Sequence, residues 1–273
     1  MRVGYLQFAP IFGAKRSNFE KVEGFFEGAK ADLIVLPELF STGYVFESRE
    51  ELLSLAEDQS GETFAFLRGL SLKTRTAIVA GIAERDGEQC YNSCFLFCEG
   101  ETVAKYRKLH LFDREKELFT PGDLPLVVKE IKGVKIGLMI CFDWVFPEVT
   151  RILALRGAQI ICHPSNLVLP HCPRAMITRC IENGIFAITA NRVGIEARAG
   201  IELRFIGTSQ VISPRGEVLA KAGDTEEIIQ VVDIDPSLAL NKMITQRNHL
   251  LNDRRPEFYG DLIGEERRRA EIE

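Results

Sequence analysis

The chain has 273 residues, of which 46% are hydrophobic and 27% are charged, and its formal net charge is −5. This composition supplies enough apolar side chains for a large core and excludes a disordered or fibrous protein. An acidic chain with a pI near 5.6 lacks the clustered Lys and Arg that bind nucleic acid or acidic lipid, so neither partner is expected.

The first ten residues, MRVGYLQFAP, contain no apolar stretch long enough for a signal peptide or a membrane span. We therefore expect a cytoplasmic protein that does not bind membranes. The seven cysteines are an odd number without a CxxC pair, which favours reduced thiols over a disulfide framework or a zinc site.

The N-terminal half combines apolar runs with an amphipathic stretch. The segment SNFE at 17–20 matches a capping box, which predicts that a helix begins there. Pro37 ends a short apolar run that is typical of a strand buried on both faces, and Glu38 follows it directly. The turn signal Asp86-Gly87 joins two strands of an antiparallel portion. The strands predicted in this half cover 3–8, 33–36, 77–83, 92–97 and 102–106.

In the C-terminal half, predicted strands alternate with predicted helices. Pro147 suits the first turn of a helix that ends at Gly157, and a second helix is predicted at 173–182. Strands alternating with helices, beside an antiparallel portion, predict an α/β layered fold. We expect one domain over 1–260 and a charged tail over 261–273. The strands predicted in this half cover 134–140, 159–162, 185–190, 207–212 and 228–234.

Two candidate catalytic residues directly follow buried strands. Glu38 and Cys141 both occupy the carboxyl end of a predicted strand, where open α/β sheets bind their ligands. Burial should raise the pKa of Glu38 into a range useful for a general base, although a helix cap or an ion-pair partner is the alternative. A helix that begins at Cys141 would lower the pKa of its thiol, although composition alone favours a structural buried cysteine.

A thiol nucleophile needs a base, and the residue types leave more than one choice. His163 follows the next predicted strand, so a Cys–His hydrolase stays open. Lys108 belongs to a mixed basic and apolar segment and, on spacing alone, is a surface lysine. A metal-dependent amidase is not favoured, because the sequence has no HxH or HExxH signature.

Three segments resemble, in order and spacing, the signature blocks of the nitrilase superfamily of carbon-nitrogen hydrolases. They are PEL at 37–39, YRKLHLF at 106–112, and CFDW at 141–144 followed by PE at 147–148. The likeness spans nearly the whole chain. The amino-acid sequences of segments 36–48 and 141–164 are most similar to those of the small archaeal nitrilases.

This resemblance implies an αββα four-layer sandwich that dimerises into an αββα-αββα assembly. It implies a Glu–Lys–Cys triad formed by Glu38, Lys108 and Cys141, and a second glutamate, Glu115, that helps to position substrate and water. The triad needs neither metal nor cofactor. Because all three residue types of the triad are present, an inactive scaffold is not favoured. The resemblance also identifies residues 1–260 as a carbon-nitrogen hydrolase domain.

The expected reaction cleaves a non-peptide C–N bond of a small aliphatic or dicarboxylic-type amide through a Cys thioester and releases ammonia. The alternative is a nitrilase that converts a small aliphatic nitrile or dinitrile into a carboxylic acid and ammonia. The candidate substrate-binding residues are Phe142, whose backbone N–H is a second oxyanion donor, Trp144 and Asn166. The alternatives are that Trp144 packs in the core or a dimer interface and that Asn166 holds a loop. For Arg174, contact with a substrate carboxylate is weighted below a surface role. The apolar segment 144–146 beside the nucleophile predicts a homodimer or a higher homo-oligomer.

Overall fold

The computed structural model describes residues 1–263. The strands, in chain order, are β1 (Arg2–Gln7), β2 (Leu33–Val35), β3 (Ala77–Asp86), β4 (Gln89–Cys98), β5 (Glu101–Arg107), β6 (Val128–Ile131), β7 (Val134–Leu138), β8 (Ile160–Pro164), β9 (Phe186–Ala190), β10 (Ile195–Arg198), β11 (Ile201–Arg204), β12 (Gln210–Ile212), β13 (Val218–Lys221) and β14 (Ile228–Asp233). The α-helices are α1 (Lys15–Phe26), α2 (Arg49–Leu55), α3 (Glu62–Thr74), α4 (Glu115–Leu118), α5 (Pro147–Leu155) and α6 (Cys172–Asn183). The 3₁₀-helices are Cys141–Val145, Pro236–Ala239, Pro256–Phe258 and Gly260–Ile263.

The strands form two six-stranded sheets and a separate hairpin of β10 and β11. The first sheet has the order β14-β1-β2-β3-β4-β5 and the second β13-β12-β9-β8-β7-β6. The centre of each sheet is parallel, and antiparallel strands flank it. The sheets pack face to face, with α1 and α3 against the first and α5 and α6 against the second. The predicted αββα layering is therefore confirmed.

Side-chain alternation explains why both faces of the first sheet are buried. In and just after β1, Val3 and Tyr5 belong to the core between the sheets, whereas Leu6 and Phe8 pack on the side of α1 and α3. Successive side chains of a strand point to opposite faces, so a nearly continuous apolar run satisfies both cores.

Some boundaries differ from the prediction. The capping box is wrong: α1 begins at Lys15 after Ala14, which places Ser17 inside the first turn. The buried Asn18 side chain bonds the backbone of Ile11 instead, through both its amide N–H and its carbonyl oxygen. Of the strand predicted at 207–212, only β12 is present, because Gly207 and Thr208 both have a φ of 56°, outside the extended region. Most of the predicted tail, 264–273, lies outside the described residues.

Over residues 1–263, no helix combines the length and the apolar character that crossing a bilayer requires.

Candidate active site

Glu38 lies in a tight turn that follows β2. The turn is anchored by Leu36, whose N–H donates to the Val79 carbonyl at 2.7 Å. The adjacent strand approaches so closely that a Cβ at Gly81 would lie 2.4 Å from the Glu38 Cα. Only glycine permits this contact, which places a fully buried carboxylate beside β3 and β4.

Lys108 directly follows β5 and is buried between two carboxylates. Its Nζ lies 2.7 Å from Glu38 Oε1 and 2.7 Å from each Glu115 carboxylate oxygen. Its backbone N–H donates to the carbonyl of Asn92 at 2.8 Å, and the Asn92 side-chain amide donates to Glu38 Oε1 at 2.6 Å. The surface alternative for Lys108 is therefore wrong.

Glu115 is the first residue of α4 and accepts further hydrogen bonds from the loop around it. The Tyr44 hydroxyl donates to its Oε1 at 2.6 Å, and the Phe112 N–H donates to its Oε2 at 3.0 Å. These donors hold both oxygens of the buried carboxylate toward Lys108.

Cys141 begins the 3₁₀-helix that follows β7, with a backbone φ of 37°. This conformation is uncommon for a residue other than glycine and often marks a functional turn. Burial raises the pKa of the Cys141 thiol well above its usual value; the Glu38 charge acts in the same direction, and Lys108 opposes it. The expected lowering by a helix N-terminus is thus outweighed by burial.

Burial and charge act on the pKa values of the other two residues of the candidate triad as well. Burial raises the pKa of Glu38, and the Lys108 charge opposes this effect. Burial alone would lower the pKa of Lys108, but the charges of Glu115 and Glu38 outweigh it and the pKa is raised. Lys108 is therefore a permanent cation at neutral pH.

His163 contacts the backbone of Cys141 rather than its sulfur. Its Nε2 lies 2.9 Å from the Cys141 carbonyl oxygen, and its Nδ1 lies 3.1 Å from the Thr189 hydroxyl. Burial lowers the pKa of His163 to about 4, so the ring is neutral at pH 7. With both ring nitrogens engaged elsewhere, the geometry gives no support to a Cys–His pair.

The three candidate substrate-binding residues line one cleft together with Cys141. Asn166 donates its side-chain amide to the Glu38 carbonyl at 2.9 Å, whereas its buried Oδ1 has no hydrogen-bond partner among the described residues. The carbonyl of Trp144 accepts a bond from Arg179 at 3.2 Å, and its half-buried side chain lies beside Phe142 at the cleft. Asn166 thus supports the Glu38 turn and presents a free acceptor.

Arg174 is exposed on α6 and does not line this cleft.

Three further residues of the site were not predicted from the sequence, of which Asn92 and Asp143 are buried and Tyr44 is half-buried. Asn92 and Tyr44 bond the two glutamates directly, and the Asp143 carboxylate joins the Lys108 segment to the nucleophile turn. Asn92 was detectable as an amide in the otherwise apolar strand CYNSCFLF. The pairings of Tyr44 and Asp143 could not be read from the sequence, because their partners are distant in the chain, although Asp143 belongs to the segment CFDW that carries the resemblance.

Within residues 1–263, no group of three or more His, Cys, Asp or Glu side chains is arranged to hold a metal ion.

The model of the carbon-nitrogen hydrolase family matches residues 2–240. The chain belongs to the carbon-nitrogen hydrolase family. Among relatives of this carbon-nitrogen hydrolase, the "Nitrilase" of Pyrococcus abyssi is 46% identical over 263 residues, which cover 95% of this chain and 99% of that protein.

Solved structures of the family share the fold. A carbon-nitrogen hydrolase from Helicobacter pylori superposes with a TM-score of 0.87 at 31% identity, covering 96% of this chain and 98% of that one. A variant of an amidase from Nesterenkonia sp., which shows the result of Michael addition of acrylamide at its active-site cysteine, has a TM-score of 0.82 at 28% identity, with 96% and 99% covered. This carbon-nitrogen hydrolase is thus an enzyme of amidase or nitrilase type.

Proposed function

We propose that this enzyme hydrolyses the C–N bond of a small amide through a thioester on Cys141, with Glu38 as the general base and Lys108 as the electrostatic stabiliser. The observation that carries the proposal is the asymmetry of the Glu38 carboxylate. Its Oε1 accepts bonds from Lys108 and Asn92, whereas the buried Oε2 has no partner among the described residues. Oε2 is therefore the oxygen that accepts the thiol proton.

The reaction follows from these residue types. Glu38 removes the proton of Cys141, and the thiolate attacks the carbonyl carbon of the amide. The oxyanion that forms is stabilised by the ammonium of Lys108 and by the Phe142 N–H. The C–N bond then breaks, and ammonia leaves with the proton held by Glu38.

Water completes the cycle by hydrolysing the thioester. Glu38 again removes a proton, this time from the attacking water, and returns it to the sulfur as the acid leaves. Glu115 binds Lys108 with both oxygens, so its role in the proposal is to orient the ammonium rather than to accept the thiol proton.

A nitrile is the second candidate substrate, favoured by the 46% identity to the "Nitrilase" of Pyrococcus abyssi. Attack of the same thiolate on a nitrile carbon gives a thioimidate. Water adds to it, ammonia leaves, and the same thioester results. One triad therefore serves both substrates.

Ammonia release from paired amides and nitriles with one carbon skeleton tests the proposal and separates the two candidates. Cys141→Ala is the control, because it removes the nucleophile with little change in volume. We expect the variant to fold and to release no ammonia. Turnover near that of the wild type in this variant would refute the mechanism.

The cellular location is a further part of the proposal. All seven cysteines are free thiols, and such thiols are typical of a reducing compartment. We infer that the enzyme acts in the cytoplasm.

A further inference from the structure

Two clefts meet at the candidate active site, and the first contains the nucleophile. Besides Cys141 and Asn166, this nucleophile cleft is lined by Phe112, Phe142, Trp144, Leu167, Val168 and Leu169. The room that it leaves for water-sized groups is only about 20 Å³, far below the volume of a typical ligand site. A substrate bound at Cys141 therefore contacts apolar side chains over most of its surface.

The second cleft contains the second glutamate. In this glutamate cleft, Glu115 and Asp113 are accompanied by one cation, Arg114, and otherwise by apolar side chains. The Arg114 Nε lies 3.9 Å from a carboxylate oxygen of the largely exposed Glu117, a contact that water screens. Carboxylates outnumber cations along this wall.

Within residues 1–263, no charged side chain lines the nucleophile cleft, so that cleft offers no cation to pair with a carboxylate on the substrate. The Lys108 ammonium already binds Glu38 and both oxygens of Glu115, so two carboxylates share one ammonium there. An anionic acyl group would thus lose its hydration without gaining an ion pair, and would meet negative charge.

Phe112 lines both clefts and separates them. Its half-buried ring lies 5.1 Å from the ring of Phe142, so the two aromatic groups narrow the passage between the nucleophile and Glu115. The Phe112 N–H, in contrast, donates to Glu115. A change of the side chain therefore leaves this backbone donor in place.

We propose, building on the proposed function, that the enzyme selects substrates whose acyl group is neutral and apolar, and that the Phe112 ring limits the size of that group. Amides of dicarboxylic type are excluded by this assignment. The selectivity comes from the apolar lining of the nucleophile cleft and from the absence of a cation among the described residues that line it.

An isosteric pair of amides tests the charge selectivity. Succinamate and 4-methylpentanamide have the same length and branching but differ in the carboxylate. We expect kcat/KM for the neutral amide to exceed that for succinamate by at least about tenfold, since an unpaired buried charge is costly. Equal values, or faster hydrolysis of succinamate, would overturn the proposal.

Alkylation of Cys141 measures the same selectivity without turnover. Iodoacetamide and iodoacetate differ in charge, and glutathione provides the reference ratio of their rates. The alkylation of Cys141 is followed by peptide mass mapping. We expect the ratio of the iodoacetamide rate to the iodoacetate rate to be higher for Cys141 than for glutathione. If Cys141 shows this preference but neither amide is hydrolysed, the proposed function fails and the assignment of the cleft stands. A preference no stronger than that of glutathione overturns the assignment.

Substitution of the separating ring tests the size limit. In Phe112→Ala we expect kcat/KM for 4-phenylbutanamide, relative to propionamide, to rise at least about fivefold, within the usual range for changes in an apolar pocket. Phe112→Leu keeps more of the volume, should show a smaller rise, and serves if the alanine variant does not fold. Phe66→Ala, which removes a half-buried ring stacked on Phe19 in another part of the molecule, should leave the ratio unchanged. An unchanged ratio in a folded Phe112 variant would contradict the role of the ring.

Discussion

The Tyr106 hydroxyl donates a hydrogen bond of 2.8 Å to the Asp143 carboxylate, and this bond links the two sheets at the active site. Tyr106 lies in β5, two residues before Lys108, and Asp143 lies two residues after Cys141. The same carboxylate accepts the Ile140 N–H at 2.9 Å. Asp143 therefore holds the lysine segment and the nucleophile turn in one arrangement.

Tyr106→Phe should impair both stability and turnover. A hydrogen bond to a charged group contributes about 1.5–3 kcal/mol, and its loss leaves part of the buried Asp143 carboxylate unsatisfied. We expect the free energy of unfolding in urea to fall by an amount in this range. Because the ammonium and the thiol lose their common support, kcat should fall more than KM rises.

Tyr5→Phe provides the matched control. It removes a hydroxyl that donates to the Gln230 side chain at 2.5 Å, in the β1–β14 pair at the edge of the first sheet opposite to β5. In this variant the free energy of unfolding should fall while kcat stays unchanged. An unchanged kcat in Tyr106→Phe would show that the Asp143 bond has no positioning role.

The buried ring of His163 should make the protein sensitive to acid. Burial lowers the pKa of His163 from 6.5 to about 4. Between these pH values the unfolded chain binds a proton that the folded chain does not, so stability falls with falling pH by about 1.4 kcal/mol per unit. We expect His163→Gln to flatten this dependence in urea unfolding followed from neutral pH down to about pH 4.

The same variant separates the two candidate bases. Loss of a general base typically costs about 10² to 10⁴ in rate. Since His163 contacts the Cys141 carbonyl oxygen, His163→Gln should lose much less than this. A loss in that range, in a folded variant, would restore the Cys–His alternative.

Activity should be insensitive to chelators and sensitive to thiol alkylation. The proposed steps use only side chains, with Lys108 in the place of a Lewis acid. Dialysis against EDTA should leave ammonia release unchanged, whereas modification of Cys141 alone should abolish it. A loss on dialysis that added divalent metal restores would contradict the cofactor-free mechanism.

A homodimer remains a prediction. Beside the nucleophile, Val145 is 37% exposed, and Ile152 on α5 and Ile181 on α6 are 38% and 49% exposed. Such apolar surface favours an interface with a second copy. Light scattering at micromolar concentration should give at least twice the 30.7 kDa of one chain.

Two substitutions locate the expected interface. Ile152→Asp should shift the assembly toward the monomer, whereas Leu72→Asp, at a position on α3 that is 61% exposed, should not. A wild-type protein that is only monomeric would refute the prediction.

The layered fold was predictable because its strands are buried on both faces. Runs such as the one before Glu38 contain apolar residues only, and the residue after each run stands at the carboxyl edge of the sheet. Glu38 and Cys141 could thus be found from local patterns. Lys108 could not, because spacing alone made it a surface residue and the resemblance to the nitrilase superfamily was needed.

The supporting residues escaped prediction because their partners are far apart in the chain. Tyr44 and Glu115 are separated by 71 residues, and Tyr106 and Asp143 by 37. No periodicity encodes such pairs. The capping box failed for a related reason: the Asn18 amide bonds the Ile11 backbone and the buried Ser41 carbonyl, which tie the start of α1 to the Glu38 turn.

The roles proposed for Glu38 and Glu115 differ in the first chemical step, the acylation of Cys141. Rapid quenching with intact-mass detection follows formation of the acyl-enzyme on Cys141. Glu38 has a buried carboxylate oxygen without a partner among the described residues, whereas both carboxylate oxygens of Glu115 bind Lys108. Glu38→Gln should therefore slow thioester formation by about 10² to 10⁴. Glu115→Gln should still acylate and turn over slowly. A thioester that accumulates in Glu38→Gln at the wild-type rate would contradict the account.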